Sequence, residues 1–136
     1  MEPSELIRRG VEAFNQGGPD AVRELIHPDI VLVMPEGLLD AGEYHGPEAA
    51  LDVWHAYVDE FDVLNWTPLR IIGHENRVLM HVEETGRGKV SGVENIRWGY
   101  WLYTFEDGLV IRTDVFLDGD AEGAFKALGM PANTAS

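Results

Sequence analysis

The chain has 136 residues, with 24 acidic and 10 basic side chains and a formal net charge of −14 at pH 7. At this length we expect one domain covering residues 1–136. A hydrophobic share of 45% is typical of a folded globular protein and excludes general disorder. The negative charge disfavours a nucleic-acid partner, because it repels phosphate backbones. The absence of cysteine excludes disulfides and thiolate chemistry.

The sequence also disfavours membrane insertion and secretion. No stretch reaches the roughly 18 consecutive apolar residues of a membrane span. The first ten residues, MEPSELIRRG, lack the apolar core of a signal peptide. A chain without disulfides or a leader is expected to be cytoplasmic, with no membrane partner.

No pattern for a metal or a cofactor is present in the sequence. The 5 histidines show neither H-x-H nor HExxH spacing. The sequence also contains no phosphate-binding loop and no dinucleotide-binding glycine pattern. We therefore expect no metal and no cofactor.

Helical periodicity marks the N-terminal part of the chain. Residues 4–16 predict a helix capped by Ser4. Its apolar face consists of Leu6, Ile7, Val11 and Phe14. A short second helix from Asp20 should end just before Pro28, because a residue that precedes proline avoids the helical conformation.

A strand and a third helix follow. Residues 30–34 (IVLVM) predict a short strand, and residues 35–46 a loop. The third helix should begin at Pro47, since proline fits the first helical turn. Its apolar stripe consists of Leu51, Trp54, Val58 and Phe61.

The second half of the chain is typical of an antiparallel meander. The segments rich in β-branched and aromatic residues are 66–74, 76–86, 93–105 and 109–118. Asp107-Gly108 indicates a tight hairpin turn, and a short helix over 120–128 should close at Gly129. This order predicts an α+β fold, in which a curved antiparallel sheet is wrapped by three N-terminal helices around a cavity and is followed by a short C-terminal helix.

Three stretches of the sequence resemble a known family. They are EYHGPEAA at 43–50, GRGKVSGVE at 86–94, and residues 104–129, which contain TFEDG, FLD and ALG. The chain is similar to the SnoaL-like group of the nuclear-transport-factor-2-like superfamily, which includes ketosteroid isomerases and limonene epoxide hydrolases. The resemblance implies a cone-shaped, cystatin-like roll. It specifies the reaction poorly, because one fold hosts many activities.

The catalytic positions of these relatives are largely unfilled here. By resemblance, the carboxylate base of ketosteroid isomerases falls at Met34, their tyrosine near Gly10 and their second aspartate near Trp101. The aspartate that cyclases and epoxide hydrolases place on the last strand falls at Val115. Asp114 is one residue away, and a shift of one residue reverses the direction of a side chain on a strand.

Alternation along the last strand makes Asp114 a candidate with two interpretations. The expected cavity face consists of Ile111, Thr113, Val115 and Leu117. Asp114 and Arg112 then share the outer face, where an ion pair is the favoured interpretation. If a β-bulge turned Asp114 inward, Arg112 would orient it as a catalytic base.

His81 is a second catalytic candidate on the strand over 76–86. His81 and Glu83 share a face, opposite to that of Val78, Met80 and Val82. With Arg112 and Asp114 they would form a catalytic network in a cavity, or a polar lattice on an outer surface. The structural interpretation is again favoured.

Arg97 is the third catalytic candidate, and it shares a strand face with Trp101 and Tyr103. The resemblance implies that Trp101 faces the cavity. Arg97 would then bind a carboxylate or enolate oxygen, or it would lie solvated at the strand's edge. The predicted substrate-binding residues are Trp54, Tyr57, Met80, Trp101, Tyr103 and Val115.

The acidic loop before the third helix offers one more acid/base pair, Glu36 with His45. The favoured interpretation is a solvated loop. Two functions stay open. The first is a cofactor-independent enzyme that acts by proton transfer on an apolar, cyclic small molecule. The second is a non-catalytic carrier or sensor that uses the same cavity.

We also expect a homodimer that forms through the outer face of the sheet. Members of the family that this chain resembles commonly pair in this way. The apolar residues expected on that face are Leu79, Tyr100, Leu102 and Phe116. Such a patch is rarely left exposed on a monomer.

Overall fold

The computed structural model describes residues 1–38 and 40–130. The helices are α1 (Pro3–Gly17), α2 (Pro47–Val58) and α3 (Ala121–Leu128), with 3-10 helices at Pro19–Leu25 and Asp118–Asp120. The strands are β1 (Ile26–Met34), β2 (Gly42–His45), β3 (Phe61–His74), β4 (Arg77–Gly88), β5 (Glu94–Glu106) and β6 (Leu109–Leu117). The α+β prediction is confirmed.

The strands form one curved, open sheet in the order β2-β1-β6-β5-β4-β3. All neighbouring strands pair antiparallel except β1 and β6, which pair in parallel. The parallel pair joins the N-terminal strand to the end of the meander, which local sequence patterns do not reveal. Asn15 holds α1 against the edge strand β3, since its side chain accepts from the backbone N–H of Trp66 at 2.9 Å and donates to the backbone oxygen of that residue at 2.8 Å.

Two hydrophobic clusters cover the two faces of the sheet. The inner cluster joins α1 and α2 to the concave face, and its fully buried members include Ile30, Leu32 and Met80. The outer cluster joins α3 to the opposite face through Phe125 and Leu128. Alternation along β4 separates the clusters as expected, with Val78, Met80 and Val82 inside and Leu79 outside.

Several element boundaries differ from the sequence predictions. Helix α1 starts at Pro3 with Glu2 at the N-cap, so Ser4 lies inside the first turn and does not cap it. The second predicted helix is a 3-10 helix. Strand β1 begins at Ile26, upstream of the predicted start, because it pairs with β6 there.

The short strand β2 lies inside the segment that the sequence predicts as a loop, and pairing with β1 creates it. Phe61, predicted on the apolar stripe of the third helix, instead begins β3, since α2 ends at Val58. Tertiary pairing decides both cases, because neither segment has a strong strand pattern of its own.

A β-bulge at Ile111 changes which residues of β6 face inward. Thr104 pairs with Arg112 but the next residue, Phe105, pairs with Val110, so Ile111 is the extra residue. Val110 is consequently buried in the inner cluster, and the prediction that Ile111 faces the cavity is wrong. The bulge precedes Arg112, so it does not turn Asp114 inward.

The apolar patch invoked for a dimer is covered by the chain itself. Leu79 and Leu102 are buried under α3, and Tyr100 and Phe116 pack against the same outer cluster. The prediction that these four residues form an exposed apolar patch is therefore wrong. The homodimer itself stays a prediction.

Replacing Gly108 with alanine should destabilise the β5–β6 hairpin by about 1 kcal/mol. Asp107 and Gly108 have φ of 54° and 77°, and nothing lies within 4 Å of a Cβ added at Gly108. The expected loss therefore comes from backbone conformation alone. Urea denaturation measures it, and Gly119→Ala is the matched control, because it has open space and no positive φ. Equal stability of the two variants would contradict the argument.

Candidate functional site

Two chambers lie between the concave face of the sheet and the helices. The inner chamber has a volume of about 70 Å³ and is bounded by Val11, Trp54, Tyr103, Val110 and Thr113 among others. The outer chamber has a volume of about 140 Å³ and is bounded by Tyr57, Val82, Glu84, Arg97 and Val115 among others. Both walls are mainly apolar, which is typical of a small-molecule site.

Four aromatic residues wall both chambers: Phe14, Trp54, Trp66 and Trp101. The Phe14 and Trp66 rings stack with centroids 4.3 Å apart. The Trp101 ring lies 4.8 Å from Trp66 and 6.5 Å from Trp54. A planar apolar ligand would therefore meet aromatic faces on several sides.

Glu84 is the central polar group of the outer chamber. Its carboxylate accepts hydrogen bonds from the Tyr57 hydroxyl and, at 3.0 Å, from the Trp66 indole N–H. Its strand neighbours on the concave face are Trp66 on β3 and Arg97 on β5. A partly buried carboxylate, oriented by two donors and facing an apolar chamber, has the geometry of an acid/base group.

Tyr57 and Arg97 set the electrostatics around Glu84. Burial, and after it the hydrogen bond to Glu84, raises the pKa of Tyr57 well above its ordinary value, while the Arg97 charge opposes the rise. Tyr57 therefore stays a hydrogen-bond donor at neutral pH. The sequence left open whether Arg97 lines the cavity or lies solvated at the edge of the strand. In the structure it borders the outer chamber and is also exposed to solvent.

Most of the predicted substrate-binding residues border the chambers: Trp54, Tyr57, Trp101, Tyr103 and Val115. Burial raises the pKa of Tyr103, which keeps its hydroxyl protonated. Met80 is the exception, because it is completely buried in the inner cluster and is not among the residues that border either chamber in the part of the chain described.

The structure does not bring Asp114, His81 and Arg97 together. Asp114 lies on the outer face and binds Arg112 at 3.0 Å, a hydrogen bond that raises the pKa of the arginine. His81 stacks on Tyr100 at 4.3 Å and bonds to Asp118 at 3.0 Å. The catalytic assignments of Asp114 and His81 do not fit these positions, because strand alternation points both away from the cavity.

The other polar residues considered from sequence are also separated. Glu83 accepts from the Trp98 indole N–H at 3.1 Å instead of joining a network with His81. In the acidic loop, His45 lies 3.5 Å from Glu43 on the surface, so the Glu36–His45 pair does not form. Two residues of this loop, Leu38 and Asp40, border the outer chamber.

Sequence reasoning missed Glu84, a carboxylate on the concave face of the sheet that borders the outer chamber. The signal was present in the alternation of β4, since Glu84 is two residues after the inward-facing Val82. Within residues 1–38 and 40–130, no cluster of three potential metal ligands occurs and no helix is long and apolar enough to cross a membrane.

Solved structures share this fold. TerC, co-crystallised with polyporic acid, matches with a TM-score of 0.75 and 19% identity over 88% of this chain and 95% of that one. A protein with a ketosteroid isomerase-like fold from Catenulispora acidiphila DSM 44928, in complex with trimethylamine, has a TM-score of 0.74 and 14% identity over 98% of both chains. A loop-truncation variant of IdmH has a TM-score of 0.73 and 26% identity over 88% of this chain and 94% of that one.

No curated protein sequence matches the chain. The family model described as a SnoaL-like domain matches residues 7–113, which include most of α1, all of α2 and most of the sheet. That range contains the four aromatic residues shared by both chambers and the Glu84 carboxylate of the outer chamber. The chain therefore belongs to the family of SnoaL-like domains.

Proposed function

We propose that the protein is a cofactor-independent enzyme that transfers a proton on an apolar, ring-containing small molecule, with Glu84 as the acid/base group. The observation that carries the proposal is the Glu84 carboxylate in a mainly apolar chamber, held by Tyr57 and Trp66 and bordered by Arg97. A group fixed in this way is ready to accept a proton from a ligand stacked among the aromatic rings.

The reaction class that fits best is proton removal next to a carbonyl group. Glu84 takes the proton from the carbon, the C–H electron pair forms the enolate double bond, and the carbonyl π electrons move to oxygen. Arg97, which borders the same chamber, supplies the positive charge that stabilises the enolate oxygen. Return of the proton to another atom of the enolate completes an isomerisation, so no further reactant is needed.

A specific observation favours the alternative of a non-catalytic carrier. Both carboxylate oxygens of Glu84 already accept a hydrogen bond, one from Tyr57 and one from Trp66. Each oxygen therefore has a lone pair already engaged by the protein before a ligand binds. In a carrier, this arrangement would serve only to hold the cavity wall in place.

An exchange experiment separates the enzyme from the carrier. The protein is incubated in deuterium oxide with 2-tetralone, an apolar bicyclic ketone, and deuterium incorporation beside the carbonyl is followed by NMR. We expect incorporation faster than the buffer reaction and proportional to protein concentration. Binding of the ketone, seen as quenching of tryptophan fluorescence, without faster exchange would contradict the enzymatic proposal.

Replacing Arg97 with alanine should weaken the binding of 2-naphthoate about tenfold, which corresponds to about 1.4 kcal/mol. Hydrogen bonds to charged groups contribute about 1.5–3 kcal/mol, and the exposure of Arg97 places the effect near the lower limit. Tryptophan fluorescence titration measures the change. Asp114→Asn, on the opposite face of the sheet, is the control and should bind as wild type. Unchanged affinity in Arg97→Ala would remove Arg97 from the site.

A further inference from the structure

The inner chamber contains polar atoms that the fold leaves without partners. The Thr113 hydroxyl and the Trp54 indole N–H are buried and make no hydrogen bond with the described residues. Thr113 is completely buried on β6, and both residues border the inner chamber. The Tyr103 hydroxyl belongs to the same lining, and its raised pKa keeps it protonated.

Unpaired polar atoms are energetically unfavourable in a buried, mainly apolar chamber. A buried donor without an acceptor loses its hydration and costs about 1–3 kcal/mol, so native structures retain few of them. The remainder of the inner lining is mainly aliphatic and aromatic, including Ile7, Val11 and Leu25. No acceptor among the described residues serves these two groups, so a molecule inside the chamber would be the one to supply it.

We propose that the inner chamber is a specificity subsite that binds an uncharged acceptor oxygen, such as a ketone or quinone carbonyl, at the end of the substrate remote from Glu84. The proposal rests on the proposed function and extends it to the substrate class. Trp54 can only donate, while Thr113 and Tyr103 can donate through their hydroxyls. A carbonyl oxygen has two lone pairs and complements donors of this kind.

The composition of the two chambers decides which oxygen goes where. No Lys, Arg or His borders the inner chamber in the described chain, so a carboxylate there would be desolvated without a counter-charge. Arg97 borders the outer chamber, where an anionic or enolate oxygen would be compensated. The substrate class is accordingly a planar ring system with two separated oxygen functions, a neutral one inside and a polar or anionic one outside.

Aromatic side chains form the wall that the two subsites share. Trp66 and Trp101 border both chambers, and their rings lie 4.8 Å apart. A substrate of this class would have to pack along these rings, with one oxygen on the Arg97 side and the other on the Thr113 side. In the unliganded protein a water molecule would serve the same donors, and the carbonyl oxygen would take its place.

The test compares 6-acetyl-2-naphthoate with 6-ethyl-2-naphthoate, which differ by a carbonyl oxygen at the end remote from the carboxylate. Wild-type protein should bind the acetyl compound at least tenfold more tightly, as measured by tryptophan fluorescence or calorimetry. Thr113→Val, which removes the hydroxyl and keeps the shape, should reduce this preference to less than threefold. Trp54→Phe, which removes the other donor, should reduce it in the same direction.

Thr104→Val is the matched control, because Thr104 lies on β5 one residue beyond Tyr103 and faces the other side of the sheet. It should keep the full preference. Equal binding of the two compounds by wild type, or an unchanged preference in both Thr113→Val and Trp54→Phe, would overturn the subsite. The deuterium-exchange assay is independent of this result, so its failure would reject catalysis by Glu84 and leave the carbonyl preference standing.

Discussion

Replacing Glu84 with glutamine is expected to slow deuterium exchange into 2-tetralone by about 10²- to 10⁴-fold, the usual contribution of a positioned acid/base group. Glutamine matches glutamate in size but cannot accept a proton from carbon at neutral pH. Its amide oxygen can still accept a hydrogen bond from Tyr57 or from Trp66. The glutamine side chain should therefore keep the position of Glu84, while proton transfer from the ketone is lost.

Asp114→Asn is the control for this loss. It changes a carboxylate to an amide on the outer face, where Asp114 binds Arg112 and has no contact with either chamber. We expect exchange at the wild-type rate. The opposite pattern, with Asp114→Asn inactive and Glu84→Gln active, would place the site on the outer face of the sheet.

Replacing Leu32 with alanine should lower the free energy of unfolding by about 2–5 kcal/mol. Leu32 is completely buried in the second half of β1, opposite Tyr44 on β2 and Thr113 on β6. Truncation removes apolar contacts and leaves a cavity under the inner chamber's β6 wall. Urea denaturation followed by circular dichroism measures the loss.

Leu69→Ala is the matched control for Leu32. Leu69 lies at an irregularity of the edge strand β3 and is 50% exposed, so its truncation should cost less than about 1 kcal/mol. A similar loss in both variants would mean that the inner cluster is not tightly packed around β1.

The sequence alone was sufficient for elements that depend on local signals. Asp107-Gly108 predicted the β5–β6 hairpin because only a few residues tolerate positive φ, and the structure has both residues in that region. Pro47 and Gly129 marked the start of α2 and the end of α3 for similar reasons of backbone geometry. The family resemblance implied that Trp101 faces the cavity, and alternation extended that facing to Tyr103; both residues border the inner chamber.

Alternation failed where one strand had an irregularity. Along β6 the bulge at Ile111 moved Val110 to the inside, although Asp114 kept its outward direction. A bulge arises from the pairing of two strands, and no single-strand pattern encodes it. Strand β2 was missed for the same reason, because it forms by pairing with β1 and has no strand pattern of its own.

Sequence by itself determined the α+β order, the hairpins and the faces of the long strands, since these follow from periodicity and from backbone preferences within a few residues. Only the tertiary structure decided which polar group enters the cavity. Glu84 gains its significance from Tyr57 on α2, Trp66 on β3 and Arg97 on β5, which are distant in sequence. The α3 helix likewise covers Leu79 and Leu102, the face that the sequence assigned to a partner. Contacts between remote segments depend on how the sheet curves and where the helices pack, so they appear only in the folded chain.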